Sequence, residues 1–539
     1  MEIKNRMREQ LHQFMTDDHP LGPIDAQQID NDEVATLLFE EENRIYQDIR
    51  KSPAFVIGRK GSGKSSFLNN IKTSGEFELS IEIKTAAAFT QIVRTVQKAL
   101  ESDGYVFIEE VADLWDILFY LAIIGEFNKK YKPAGKFKEF SSKIFSGLGL
   151  GIELEAATII QMVLDVLAEE ARGKTLGMVA ILLKKIGVEG IASADDLRSR
   201  LSGFLREKNI KAVVLVDSLD DYKLEVVPVQ QTIAGLLKSV GRFNVVRRNM
   251  EIRFCLPSEL YPEFVKYSSN QAKDISHVMH LNWSARELVS VAAHRMHIHI
   301  SLMYPEEIQA NPHIYEKDMV NRRNAIRLLR HVLPKYITNV SGEKEDCLAF
   351  LLRHSHLLPR QIIWILSTAI GINVSTYERP AYDMSSEALM TGLVDIREKL
   401  WTEVCGAYSP RYPRAAEHCR IIVPELPNLF SDGDLHQVYN RFGKKISQLD
   451  GNDYHDFKRM LIEIGCVGAK IRNGDADDRY VPALFEYFIP GTLRPAANQK
   501  LCLHPMFSGV TREMMDLEEN ELLIYPYGSD PDRSQERKM

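Results

Sequence analysis

The sequence predicts an α/β fold built on a parallel sheet, followed by an α-helical region and a small domain of helices and a hairpin. Three observations carry that prediction. Short apolar runs at 53–57, 211–217 and 251–258 read as buried strands, and helical periodicity fills the chain between them. Strands separated by helices argue for a doubly wound parallel sheet. From about 283 to 405 the period is helical nearly throughout, and beyond 425 two helix-like segments precede two strands around a polar turn.

The N-terminal 1–52 reads as a helical lead-in, with Val34, Leu37, Leu38, Ile45 and Ile49 near one helical face. "PAFVI" at 53–57 opens the core, which is expected to run to 282. "EFELSIEIK" at 76–84 alternates Phe77, Leu79, Ile81 and Ile83 with polar residues, the pattern of a half-buried strand. A helical insertion is expected around 100–208. An α-helical lid is expected over 283–405 and a winged-helix domain over 425–510. The wing turn is "RNGDADD" at 472–478, and 515–539 reads as a partly disordered tail.

Composition bounds the function classes. A chain of 539 residues suggests about three to four domains. Hydrophobic residues at 45% and charged residues at 26% are ordinary for a soluble globular protein. The net charge of −7 excludes a global basic field, so any nucleic-acid contact needs a local patch. Cys255, Cys347, Cys405, Cys419, Cys466 and Cys502 form no CxxC pair and read as free thiols of a reducing cytoplasm. The N-terminus lacks the apolar stretch of a signal peptide, and "LWDILFYLAII" at 114–124 is too short to span a bilayer. A cytoplasmic protein without a membrane partner is therefore expected.

The chemistry sits in "GRKGSGKSS". Gly58, Gly63, Lys64 and Ser65 fit G-x-x-x-x-G-K-[ST] between a buried strand and a helix. Backbone N–H groups from Gly58, Arg59, Lys60, Gly61, Ser62, Gly63 and Ser66 can curl around phosphates at the positive end of that helix. Lys64 should reach the β and γ phosphates of ATP, and Ser65 should ligate Mg²⁺. The partner motif is "AVVLVDSLDDY". Five apolar residues end at Asp217, whose carboxylate should also hold Mg²⁺. Ser218 occupies the place where ordinary AAA+ ATPases carry a catalytic glutamate, which leaves Asp220 or Asp221 to polarise the attacking water. The plain alternative is that both begin a solvated loop.

A small residue after the aspartate, then an acidic pair one hydrophobic further on, resembles the Walker B segment of NACHT and other STAND ATPases. The whole arrangement resembles a bacterial STAND/AAA+-related P-loop switch ATPase. It is also similar in layout to the origin-initiator ATPases, in which a helical lid and a winged helix follow the P-loop core. The resemblance covers about 20–510. It implies that "IRFCLPSEL" carries sensor 1, with Ser258 at its polar end. "HLNWSARELVSVAAHRM" would begin the lid, and "HLLPRQIIWILSTAI" would bring Arg360 toward the γ-phosphate. Related chains often carry an arginine where Pro257 stands, so an arginine finger must come from elsewhere. Arg247, Arg248, Arg253 and Arg295 are candidates.

Other constellations are weaker. Arg323, Arg327 and Arg330 share one face of "VNRRNAIRLLRHVLPK", suited to nucleic-acid phosphates or an acidic neighbour, or else simply a solvated face. His294, His297 and His299 lack an adjacent carboxylate or cysteine and do not predict zinc. Trp115, Trp283, Trp364 and Trp401 read as core. The winged helix has a thin basic footprint, Lys458 and Arg459 on its second helix and Lys470, Arg472 and Arg479 on the wing. Contact with DNA or with protein both fit it. The expected function is an ATP-binding and ATP-hydrolysing switch acting on DNA, RNA or a partner protein, with a homo-oligomer a further possibility. The resemblance points to replication, repair or anti-phage defence. A nucleotide-locked adaptor with little turnover is the alternative, and a P-loop kinase a more distant one.

Overall fold

The structure is a computed structural model. It describes residues 5–16, 19–25, 29, 32–38, 53–83, 85–152, 154–170, 177–217, 226–245, 249–268, 270–338, 344–446, 453–471, 480–488, 491, 493–508 and 522–531. The chain divides into two compact units. The first comprises Ile45–Arg59 and Lys64–Leu281; the second comprises Met1–Arg44, Lys60–Gly63 and Asn282–Met539.

The first unit is α/β. Its strands are β1 (Phe55–Gly58), β2 (Leu79–Ile83), β3 (Ala212–Val216), β4 (Met250–Pro257) and β5 (Val278–Leu281). They form one parallel sheet in the order β2-β3-β4-β1-β5. All residues of β1 and β3 are buried, which explains their unbroken apolar runs. β2 alternates instead, with Leu79, Ile81 and Ile83 inward. β5 was not legible in the sequence. Only Leu281 of its four residues is buried, and His280 interrupts any apolar run.

Between β2 and β3 the chain is helical, from Thr85–Asp103 to Ala194–Glu207. Helix Ile108–Tyr131 is buried on every side over Leu114–Ile124, as a helix apolar all round must be. Trp115 donates its indole N–H to the Thr232 carbonyl at 3.3 Å. Among the described residues, no helix is long and apolar enough to cross a membrane.

The second unit is built on helices Ala285–Met303, Arg322–Val332, Pro359–Ser375 and Ser386–Ala407. Ser284 and Glu287 form a reciprocal capping box that fixes where the first of these begins. A short hairpin, β6 (Tyr336–Thr338) with β7 (Lys344–Asp346), lies between the second and third. Further on, helices Asp432–Val438 and Tyr454–Ile464 accompany a second five-stranded sheet. Its strands are β8 (Leu429–Phe430), β9 (Val467–Lys470), β10 (Tyr480–Leu484), β11 (Leu501–Leu503) and β12 (Leu523–Pro526), in the order β12-β10-β9-β11-β8. β9 pairs antiparallel with β10 and β11, as a helix-helix-hairpin pattern requires.

One strand, β12, falls within the span 515–539 that reads as a partly disordered tail. Leu523–Pro526 pairs parallel with β10, and Ser529 and Pro531 are buried. "LLIYP" has enough apolar surface to gain from a sheet edge, and the polar residues around it masked that signal. The wing turn 472–478, with Arg472, and also Arg479, lies outside the described residues.

Candidate functional site

β1 ends at Gly58, and helix Lys64–Thr73 begins six residues later. The intervening turn needs two residues in the left-handed region, Gly61 at φ 82° and Gly63 at φ 90°. A side chain at either would be strained, so the glycines are required by the backbone. The loop carries Arg59 and Ser62 buried and Lys60 exposed, and Ser66 is buried in the helix's first turn.

Lys64 is 7% exposed. Its ammonium donates to the carbonyls of Gly58 at 2.9 Å and Arg59 at 3.2 Å. Two neutral acceptors stabilise a buried cation less well than an anion does, so this lysine is poised for a phosphate. Ser62 is 1% exposed, and its hydroxyl is without a hydrogen-bond partner among the described residues. Such an orphan costs about 1–3 kcal/mol, which a bound anion's oxygen would offset.

The second motif lies against the first. β3 delivers Asp217, half-buried, and Ser65 Oγ donates to its Oδ2 at 3.0 Å. A hydroxyl and a carboxylate this close are two hard oxygen donors, the set that Mg²⁺ prefers. Ser65 and Asp217 fit that ion, and bound there it would neutralise charge on a transferring phosphoryl group. Ser218, Asp220 and Asp221 lie outside the described residues.

β4 runs between β1 and β3. Its last register pair is Gly58 with Pro257, and Ser258 N–H continues the ladder to the Gly58 carbonyl at 3.1 Å. Ser258 therefore stands beside the start of the Gly58–Ser66 loop. Beneath the loop helix, Cys255 Sγ lies 3.9 Å from the Lys64 carbonyl oxygen.

In the second unit, Arg360 occupies the first turn of helix Pro359–Ser375. Its side-chain carbons lie 3.2–3.4 Å from where a Cβ on Gly61 would stand. The guanidinium is held by Glu403 at 2.6 Å, Asp25 at 3.5 Å and the Ile24 carbonyl at 3.2 Å. Trp283 is a surprise. It is half-buried, and its indole N–H donates to the Ser62 carbonyl at 2.8 Å. A tryptophan directly before the Ser284–Glu287 capping box was the only available signal.

Several candidates are used elsewhere. Arg253 is 2% exposed inside β4, paired with Glu251 and lying over the Phe77 ring. Arg295 is equally buried and donates to the Leu21 carbonyl at 3.0 Å. Arg247 and Arg248 lie outside the described residues. The basic stripe is not a free patch either. Arg327 pairs with Glu316 at 2.8 Å and Arg330 with Asp346 at 2.9 Å, while Arg323 is exposed. Lys458 and Arg459 pair with Asp432 and Asp456, each at 2.7 Å.

Burial drives the imidazoles of His294 and His297 down to about 4, so both are neutral near pH 7. His294 Nε2 bonds the Leu37 carbonyl at 2.7 Å. Among the described residues, no cluster of three or more His, Cys, Asp or Glu could hold a metal.

No family model and no curated protein matches the chain. Among solved structures, the Aeropyrum pernix ORC2 protein in its ADPNP–ADP complexes is similar. It has 13% identity over 89% of this chain and 91% of that chain, at a TM-score of 0.32. At that level of similarity, neither residues nor activity carry across.

Proposed function

We propose that this chain is an ATP-dependent switch of the AAA+-related kind. The loop Gly58–Ser66 binds ATP, and Ser65 and Asp217 share Mg²⁺. The reading rests on one observation above all: Lys64 and the Ser65–Asp217 pair stand together at the carboxyl edge of a parallel sheet, where such folds bind their ligands. We take 53–282 as the ATPase core, 283–405 as a lid and 425–510 as a winged-helix domain. Arg360, leaving Glu403 and Asp25 for the γ-phosphate, would make the lid respond to the nucleotide. The winged helix would pass that response to nucleic acid, to a partner protein or to a second copy.

The paired states of Lys458 and Arg459 weigh toward a protein partner, because their charge is already matched. Ser218 favours slow turnover and keeps the nucleotide-locked adaptor as a second reading. ATP titration with steady-state phosphate release on the same protein tests both. Lys64→Ala is expected to lose at least tenfold in ATP affinity, about 1.4 kcal/mol. Unchanged affinity would remove ATP from this loop; tight binding without turnover would select the adaptor.

A further inference from the structure

We infer that Glu259 is the residue that receives the proton of the attacking water, a role that the position after Asp217 cannot fill because Ser218 stands there. The inference rests on the ATPase reading above and assigns it a base. β4 is the central strand between the two halves of the site, flanked by β3 with Asp217 and by β1 leading into the phosphate loop. The ladder ends with Ser258 N–H on the Gly58 carbonyl, the same carbonyl that Lys64 Nζ holds at 2.9 Å. Glu259 is the next residue. A turn closed by Leu260 N–H on the Pro257 carbonyl at 3.2 Å keeps it at the carboxyl tip of the strand, before helix Tyr261–Tyr267 begins. Ligands of open parallel sheets bind at these tips.

The carboxylate is only 5% exposed. Ser258 Oγ lies 3.4 Å from Glu259 Oε2 and donates to it. The sequence hides this residue because a glutamate opening a loop after "LPS" looks like any helix-start acid. Only the strand order shows that it follows the strand lying between the one that delivers Asp217 and the one that leads into the Gly58–Ser66 loop.

The step balances as a hydrolysis. The water oxygen forms a bond to Pγ while the bond from Pγ to the β,γ-bridging oxygen breaks, its electron pair leaving on ADP. One water proton passes to the Glu259 carboxylate and is then returned to solvent, leaving inorganic phosphate.

The test uses the full chain and its variants Glu259→Gln, Glu259→Asp, Lys64→Ala and Asp220→Asn/Asp221→Asn. Each is measured for ATP affinity, for phosphate release and for thermal melting. Glu259→Gln should cut kcat about a hundredfold or more while ATP affinity stays within threefold and melting is unchanged. Glu259→Asp should recover part of the rate, and the double aspartate variant should keep more activity than Glu259→Gln. Wild-type kcat in Glu259→Gln overturns the assignment, as does a loss confined to ATP affinity or melting. So does an inactive double aspartate variant beside an active Glu259→Gln. If instead Lys64→Ala binds ATP as the wild type does, the phosphate site itself falls and the base with it. A wild-type chain that binds ATP through Lys64 but releases no phosphate sinks hydrolysis, and Glu259 as its base, while leaving the binding site intact.

Discussion

Two glycines and one carboxylate separate backbone geometry from charge in the phosphate loop. Gly63→Ala adds a Cβ with nothing within 4 Å, so it pays only for φ 90°, about 1 kcal/mol. Gly61→Ala pays a similar strain at φ 82° and also crowds Arg360 at 3.2 Å. Calorimetric ATP titration should therefore show the larger loss for Gly61→Ala, and the reverse order would mean that Arg360 yields freely. Asp217→Ala removes the carboxylate that Ser65 bonds. Expected is a loss of the Mg²⁺-dependent part of ATP affinity and of phosphate release, with metal-free binding retained. Equal Mg²⁺ stimulation in wild type and variant would place the ion elsewhere.

Helices carry the next set of consequences. Trp283 and its capping box tie the start of helix Ala285–Met303 to the Ser62 carbonyl. Trp283→Phe keeps an aromatic ring but removes the donor together with the five-membered part of the indole; the lost hydrogen bond alone is worth about 1 kcal/mol. A several-fold fall in ATP affinity with unchanged melting is expected; no change would leave that hydrogen bond without a role in binding. On helix Arg322–Val332 the basic residues differ in their pairing. Arg330→Glu breaks the pair with Asp346, whereas Arg323→Glu alters an exposed position. Melting curves should show the first clearly destabilised and the second near wild type. Equal behaviour of the two would restore the reading of an open patch.

At the scale of the molecule, the two units should respond to pH with opposite signs. In the second unit, His294 and His297 titrate near 4 instead of near 6.5, because burial disfavours the imidazolium. Below 6.5 the unfolded chain binds more protons than the folded one, so their stability is present above pH 6.5 and lost as pH falls toward 4. In the first unit, burial raises the Asp116 carboxyl to about 7, against the opposing pull of Arg242 at 2.9 Å. Arg242 keeps its charge matched by Asp113 at 2.8 Å, and Ser239 also donates to Asp116. Here the folded state holds the extra proton, so the contribution is complete below about 3.8 and lost as pH rises through 7. Scanning calorimetry at pH 5 and pH 7.5 should shift the transitions of the two units in opposite directions. Asp116→Asn should flatten the pH dependence of the first unit alone. Parallel shifts in the wild type would contradict both assignments.

The sequence by itself determined the buried strands β1 and β3, the glycine turn between β1 and the helix that follows it, the acidic strand end at Asp217 and the helical stretch between β2 and β3. Each of these is a local pattern, an apolar run or a fixed spacing, written in neighbouring residues. The hairpin of β9 and β10 was legible for the same reason. Tertiary structure decided the rest, because it depends on which segments become neighbours. β5 and β12 are strands only through their partners β1 and β10. Arg253, Arg295, Arg327 and Arg330 look alike as letters, yet the first two are buried while Arg327 is exposed and paired with Glu316 and Arg330 is half-buried and paired with Asp346. Trp283 and Glu259 sit 221 and 201 positions from Ser62 and Gly58 in sequence, and no periodicity links residues so far apart. Strand order and one indole hydrogen bond bring them to the loop, because hydrogen bonds and burial act on distance in space, not along the chain.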